Sequence, residues 1–450
     1  MEFPSKIKSS GIALALSVCM TLPFTTATAQ ESRHLSLPDA IQLSLDNSKE
    51  LKISKAKILQ ASAELSEAKN RQLPDVKISG SYLRLTQPTI DLKVPLNSGE
   101  NGGSGESQAI KVDQAMYGIA NVTMPLFSGL RIRSGIESAK YLQKAAELDA
   151  QKDKEELIQT TVAAYYNLYK AKAAVDLVEE NKKNAAQRVL DFGNLEKNGL
   201  LARNDYLKAQ LQESNVELAL LDAQNNEKIA TFNLNLMLGI PENTELALDD
   251  SIATLPQIKS MEEWENAALS HRADYLALQQ REAATAAGVK AAKGEYYPGI
   301  AITGGYVAAD IPKFITITNA VNIGVGLSYD LSSLYKTGAK VRQAKARQEQ
   351  MHWAGAQMND GIRMQVHQSY QNYLESIKKI EVYKKAVEQA NENYRITKNK
   401  YDNSLATTTD LLDADVAKLQ ANINYEYARA DAAVAYNKLH ETAGILAGKE

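Results

Sequence analysis

Cysteine is almost absent: Cys19 is the only one in 450 residues, and it falls inside an N-terminal segment that reads as an export leader. No disulfide framework is therefore available to the rest of the chain. Proline is missing from two long stretches, between Pro125 and Pro241 and after Pro312, so nothing in them forces a helix to break. Outside the leader, no run approaches the roughly eighteen apolar residues of a membrane-spanning helix. A chain of this kind enters a membrane only as a closed β-barrel or through peripheral contacts. A basic excess is lacking too. Removing Lys6, Lys8 and Glu2 with the leader takes 51 basic and 54 acidic residues to 49 and 53, a net of −4. That balance does not call for nucleic acid.

Catalytic constellations are equally scarce. The histidines His34, His271, His352, His367 and His440 are scattered, none three or four residues from another, so no metal site is expected. There is no phosphate-binding glycine loop, no GxSxG elbow and no cysteine nucleophile. Charged clusters such as Lys154-Glu155-Glu156 read as solvated helix faces. The expectation is a protein that is not an enzyme and carries no cofactor.

Residues 1–29 read as a secretory signal peptide. Lys6 and Lys8 form its basic start, Gly11 to Met20 its apolar core, and Ala27-Thr28-Ala29 a cleavage site before Gln30. A lipoprotein anchor at Cys19 would need a small residue before it, where Val18 stands.

What the chain does have is an internal repeat. Residues 51–82 match 275–306 at an offset of 224, with Pro74 on Pro298, Gly80 on Gly304 and Tyr82 on Tyr306. Later the offset settles at 205: Leu126 matches Leu331, Asp205 matches Asp410 and Gly239 matches Gly444. The drop from 224 to 205 leaves nineteen residues without a counterpart, around the Gly/Ser-rich stretch 97–106, a loop by composition. The reading is a first repeat over 30–239, a linking segment over 240–265, and a second repeat with a tail over 266–450.

The proline-free stretches are rich in Ala, Leu, Glu, Lys and Gln, which favour helix. Leu157, Thr161, Ala164, Leu168, Ala171, Val175 and Val178 follow a 4-3-4-3 spacing, repeated 205 residues on by Ile362, Val366, Ser369, Tyr373, Ser376, Ile380 and Tyr383. Such a seam packs helices side by side as in a coiled coil. A helix from Gly129 to the break at Asn198 would reach about 100 Å at 1.5 Å per residue.

Four short runs alternate instead with period two. Val76, Ile78, Gly80 and Tyr82 make one, and Ile300, Ile302, Gly304 and Tyr306 its repeat. Ala120, Val122, Met124 and Leu126 make another, alongside Val321, Ile323, Val325, Leu327 and Tyr329. Each is about nine to eleven residues, the length of a membrane-spanning strand. Four strands cannot close a barrel, since about eight is the smallest number that does. Either the edges are covered or several copies share one barrel. A periplasmic coiled-coil scaffold or adaptor without a pore accounts for the heptads but leaves these strands unexplained.

With the repeat in hand, the chain resembles the TolC-type outer-membrane factors. The match rests on the duplication, on Pro-Leu-Phe-Ser-Gly at 125–129, and on two turn signatures, 198–209 and 403–414. The resemblance implies a mainly α protein with a small β part. Three copies would form a homotrimer, each giving four strands to a shared barrel in the outer membrane of a Gram-negative bacterium. Long helices would continue it as an α-barrel into the periplasm. It implies a passive exit duct for efflux or type I secretion, with a periplasmic adaptor and an inner-membrane pump of RND, ABC or MFS type as partners. Two sites follow from it. The adaptor-contact tips are Gly199, Leu200, Ser404 and Leu405, with Ser404 where glycine is usual. The entrance gate is Asp410 and Asp413, as acidic rings, with Asp205 and Tyr401 in a latch. Ala406 stands where the latch arginine is expected, so that part of the latch is absent or built otherwise.

Overall fold

The computed structural model describes residues 33–86, 88, 112–249, 259–312 and 314–447. The leader 1–29 and the enlarged loop 97–106 lie outside them. The chain opens with β1 (Arg33–Leu35), α1 (Leu37–Asn47) and α2 (Lys49–Asn70). A hairpin follows, β2 (Asp75–Arg84) and β3 (Gln114–Phe127), then α3 (Arg131–Lys197), α4 (Arg203–Leu238) and β4 (Leu246–Leu248). The order then repeats as α5 (Met261–His271), α6 (Ala273–Lys293), β5 (Gly299–Ile311), β6 (Ile315–Ser328), α7 (Ser333–Asp402) and α8 (Thr408–Thr442). Helix α5 lies 224 residues beyond α1, and Ser36 and Ser260 cap the two alike. The helical part of the second repeat thus takes in the last residues of the 240–265 segment.

Helices α3 and α7 run 67 and 70 residues without interruption, about 100 and 105 Å at 1.5 Å per residue. The expected seam is the buried one: Leu157, Thr161, Leu168, Val175 and Val178 are buried along α3, as are Ile362, Val366, Ser369 and Tyr373 along α7. Farther along α7, Ser376, Ile380 and Tyr383 are only half-buried. The reason is positional. Helix α3 has neighbours on both sides, α2 and α6 in one half and α4 and α8 in the other, whereas α7 lies on α5 and α6 in one half and, among the described residues, chiefly on α8 in the other.

Strands β2, β3, β5 and β6 form one antiparallel sheet in that order. They span 10, 14, 13 and 14 residues, so three run longer than the alternation suggested. Register explains the pattern. The rows Val76–Val122–Gly304–Ile323 and Ile78–Ala120–Tyr306–Val321 share one face, which is apolar. The rows Asp75–Thr123–Thr303–Gly324 and Lys77–Asn121–Gly305–Asn322 share the other, which is polar or small. Within one chain the apolar face is bare: Ile78 is 83% exposed and Ile323 85%. A contiguous apolar face of this kind is what soluble monomers avoid. At about 3.4 Å per residue and a tilt near 40°, strands of this length rise about 26–36 Å, enough to cross a bilayer core. Among the described residues no helix is long and apolar enough to do so.

Sheet and helices meet at two glycines. Gly129, at φ 61°, passes so close to Gly294 that a Cβ on it would lie 2.1 Å from the Gly294 carbonyl oxygen. The main core lies at the waist of the chain, midway along α3. Tyr165, Tyr166, Leu168, Leu234, Leu238 and Leu246 pack there, and β1 pairs in parallel with β4 beside them. A second cluster joins Trp264, Ile362, Val366, Tyr373 and Leu439. Arg272 ties the two halves of the second repeat: it donates to both oxygens of Asp274 at 3.0 and 2.7 Å, to Gln365 at 2.8 Å and to the Thr442 carbonyl at 3.3 Å.

One reading of the sequence fails here. Glu155 does not belong to a solvated face; it is 5% exposed. Burial first of all, with Glu441 and Asp274 adding to it, raises its carboxyl to about 7. The cause is context that a three-residue charged cluster does not reveal, because α6 and the end of α8 close over this turn of α3.

Candidate functional site

Far from the sheet, each long helix ends in a tight reversal, and both reversals are built the same way. At the first, Gly199 N–H donates to the Glu196 carbonyl at 2.9 Å and Leu200 N–H to Leu195 at 2.8 Å. At the second, Ser404 N–H donates to Tyr401 at 2.9 Å and Leu405 N–H to Lys400 at 2.7 Å. This paired closure needs a left-handed residue at its centre. Gly199 supplies it at φ 73° and Ser404 at φ 62°, the serine at a steric cost that glycine avoids. Both following leucines project: Leu200 is 74% exposed and Leu405 76%. Neither is the buried leucine of an ordinary turn.

Beyond the second turn, α8 begins with a capping box. The Asp410 carboxylate accepts from the Thr407 N–H at 2.9 Å and the Thr407 hydroxyl at 2.7 Å, while the Asp410 N–H donates back to Thr407 Oγ1 at 3.2 Å. Those bonds, the hydroxyl's first, hold Asp410 below the usual carboxylate range. Asp413 stands three residues on, and both side chains are exposed, as a shared helix face requires. The capping role and exposure on that face coexist, because one carboxylate oxygen takes both Thr407 bonds.

Asp205 and Tyr401 are brought together. Asp205 accepts from Lys208 at 3.2 Å, and Lys208 also reaches the Thr409 hydroxyl of α8 at 3.2 Å. Tyr401 stacks on Phe192 with ring centroids 5.5 Å apart. Its phenol is raised by burial and by the neighbouring Asp205 and Asp402 carboxylates, against a hydrogen bond from Thr408. Ala406 contributes no charge. The arginine near this corner is Arg188 of α3, buried against Asp415 of α8 at 3.1 Å. Sequence reading overlooked that pair. Its signal was two polar residues, Asn181 and Arg188, seven apart on the buried face of α3.

The comparisons with known proteins agree with this architecture. The family model for outer membrane efflux proteins matches residues 40–240 and 264–444. The chain is 24% identical over 371 residues to the outer membrane efflux protein BepC of Brucella suis, covering 79% of this chain and 73% of BepC. It is 26% identical over 408 residues to the outer membrane protein TolC of Salmonella enteritidis, covering 84% and 76%. The crystal structure of the outer membrane protein VceC of Vibrio cholerae shares the fold with a TM-score of 0.75 at 18% identity, over 91% of this chain and 96% of VceC. The chain belongs to the outer membrane efflux protein family, as an outer-membrane duct of tripartite efflux that extends into the periplasm.

Proposed function

We propose that three copies of this chain close one twelve-stranded barrel and continue it as a helical conduit, a passive exit duct with an acidic entrance. The observation that carries the reading is the four-stranded sheet: among the described residues one face is apolar and bare, and each outer strand, β2 and β6, has an unpaired edge. Open edges of membrane-length strands must be satisfied within the bilayer, and copies of the same chain supply the missing partners.

At the far end, Asp410 and Asp413 of α8 line the axis. Rings of carboxylates draw in cations and are blocked by multivalent ones. The two leucine-bearing turns receive the hairpins of a periplasmic adaptor. Left-handed, small residues at 199 and 404 allow close backbone approach, and Leu200 and Leu405 serve as knobs. An inner-membrane pump of RND, ABC or MFS type supplies the energy. Asp205 and Tyr401 hold the corner closed through Lys208, Thr408 and the Phe192 stack rather than through an arginine at 406.

The test combines fractionation with conductance. A detergent-requiring, heat-dissociable trimer is expected in the outer membrane, and hexaamminecobalt should block its current in bilayers. The double change Asp410→Asn and Asp413→Asn should abolish that block, and Leu200→Asp with Leu405→Asp should abolish adaptor capture. A water-soluble monomer would sink the shared barrel, and an unaltered block would sink the gate.

A further inference from the structure

Charge is unevenly spread along the two long helices. Helix α7 carries five cations and no acid before Glu349: Lys336, Lys340, Arg342, Lys345 and Arg347. Helix α3 carries Arg131, Arg133, Lys140 and Lys144 before Glu147, against Glu137 alone. These are the turns next to the sheet, in a chain with more acids than bases. Helix physics opposes the arrangement, because the macrodipole is positive at a helix start and favours acids there. The other six α-helices follow that rule with an Asp or Glu in the first turn; α3 and α7 have none. A different interaction therefore favours cations where the chain leaves the sheet.

Some of these cations are used within the chain. Arg131 donates to the Ser128 carbonyl at 3.1 Å, Lys340 pairs with Glu295 at 2.8 Å, and Lys336 lies 5.8 Å from the centre of the Tyr335 ring. Arg133, Lys140, Arg342 and Lys345 are different: they are exposed and form no ion pair with any described residue. Their spacing puts them on two stripes. Arg133, Glu137, Lys140 and Lys144 stand four, three and four apart, and Leu334, Gly338, Arg342 and Lys345 four, four and three apart, so each set shares a helix face. Leu130 stands just ahead of the first stripe and Leu334 heads the second, and both are exposed. They continue the bare apolar face of the sheet past Leu126 and Leu327. At 1.5 Å per residue the four cations lie about 3–18 Å beyond the helix starts, and their long stems let the charges reach back toward the membrane. That depth matches one headgroup layer plus a Debye length of about 8 Å.

We propose that Arg133, Lys140, Arg342 and Lys345 form a basic collar that binds anionic phospholipids in the leaflet facing the periplasm. The strands above offer an apolar surface to the acyl chains, and the cations directly below meet the phosphate. An anionic headgroup leaves that phosphate uncompensated, whereas a zwitterionic one supplies its own cation and gains little from the collar. Three copies would bring four free cations each to the rim of one barrel. The inference rests on the shared barrel, and it adds a lipid preference at its periplasmic rim.

The experiment reconstitutes the full trimer in phosphatidylcholine bilayers and measures, by electron spin resonance, how strongly chain-labelled phosphatidylglycerol and phosphatidylcholine associate with it. Phosphatidylglycerol is expected to associate about fivefold more strongly, the factor that one cation near an anionic surface contributes. The preference should fade in about 1 M sodium chloride, where the Debye length falls to about 3 Å. Changing Arg133, Lys140, Arg342 and Lys345 together to Gln should abolish it. These exposed helix positions accept Gln without loss of packing, and an unchanged heat-dissociable trimer confirms assembly. Arg133→Lys with Arg342→Lys should keep the preference, since charge and not fork geometry is read. A control that changes Lys183, Lys384, Lys385 and Lys398 to Gln removes as much charge far from the sheet and should keep it too. The proposal is overturned if the parent shows no preference, if the four-Gln collar variant retains it, or if the distant control loses it. It is also overturned if sodium phosphate erases the preference where sodium chloride of equal ionic strength does not, since the site would then serve free phosphate. Failure of the shared barrel shows separately, as a water-soluble monomer with no lipid association of either kind.

Discussion

Glu155 offers the sharpest quantitative test of the waist. Its carboxyl sits 5% exposed on α3, with Asp274 and Glu441 as acidic neighbours. The cation that acts on it, Arg272, is committed to Asp274, Gln365 and the Thr442 carbonyl. Asp274 shows the opposite outcome: burial pushes it up, but the Arg272 bonds outweigh burial and hold it low. Glu155 has a hydrogen bond with Gln151 and, less strongly, the charge of Arg272 to lower it; burial outweighs both, and it rises from 4.5 to about 7. The folded chain therefore holds one more proton than the unfolded chain between those values. Stability from this group is complete below pH 4.5 and is lost as pH climbs through 7. At about 1.4 kcal/mol per pH unit, the loss totals about 3 kcal/mol. Glu155→Gln keeps the shape and removes the titration. The variant should gain about 3 kcal/mol on the parent between pH 4.5 and 7.5 and nothing further beyond. Hydrogen exchange of the α3 amides flanking residue 155, with parent and variant compared at each pH, reads this as a local opening energy. A difference that stays flat from pH 4 to 8 would refute the argument, because it would mean that Glu155 is solvated or paired in the folded chain.

Other consequences are simpler to read. Gly129→Ala should cost about 3 kcal/mol or more, from a left-handed φ and a Cβ 2.1 Å from the Gly294 oxygen, and show as lost trimer yield. Gly135→Ala, whose Cβ meets nothing within 4 Å, should instead add about 0.5–1 kcal/mol by stiffening α3. Ser404→Gly should stabilise the second tip by about 1 kcal/mol, measured as slower exchange of the amides at 403–406. Thr407→Ala should cost about 1 kcal/mol of α8 stability. It also releases Asp410 from the bonds that hold its pKa low, so the pH midpoint of hexaamminecobalt block should move upward.

Much of this was legible in the sequence, for physical reasons that differ by element. The long helices could be read because prolines are missing and the seam Leu157–Val178 repeats at 362–383. The sheet could be read because side chains on strands alternate, and lipid on one face with water on the other enforces that alternation strictly along Val321–Tyr329. The tips could be read only through the repeat, since Asn-Ser-Leu at 403–405 is an unremarkable tripeptide until it falls on Asn-Gly-Leu at 198–200. Glu155 and the Arg188–Asp415 pair escaped because each depends on a helix from the other repeat closing over it. Charged residues carry no local mark of such burial. For Arg188, a stricter reading of the seam past Val178 would have flagged a cation on a buried face.

The repeat also sets the two hairpin tips of one chain apart in charge. Asp205 and Asp410 are equivalent, but the residue three beyond Asp205 is Lys208 and the residue three beyond Asp410 is Asp413. In the first hairpin the lysine pairs with the aspartate at 3.2 Å and cancels it. In the second, Asp410 bonds only to the neutral Thr407, and Asp413 adds a second charge on the same exposed face. Duplication alone would have produced six alike hairpins around a trimeric ring. Lys208, Arg188 and Asp415 divide them into two kinds: a neutralised first hairpin and a charged second one held against it.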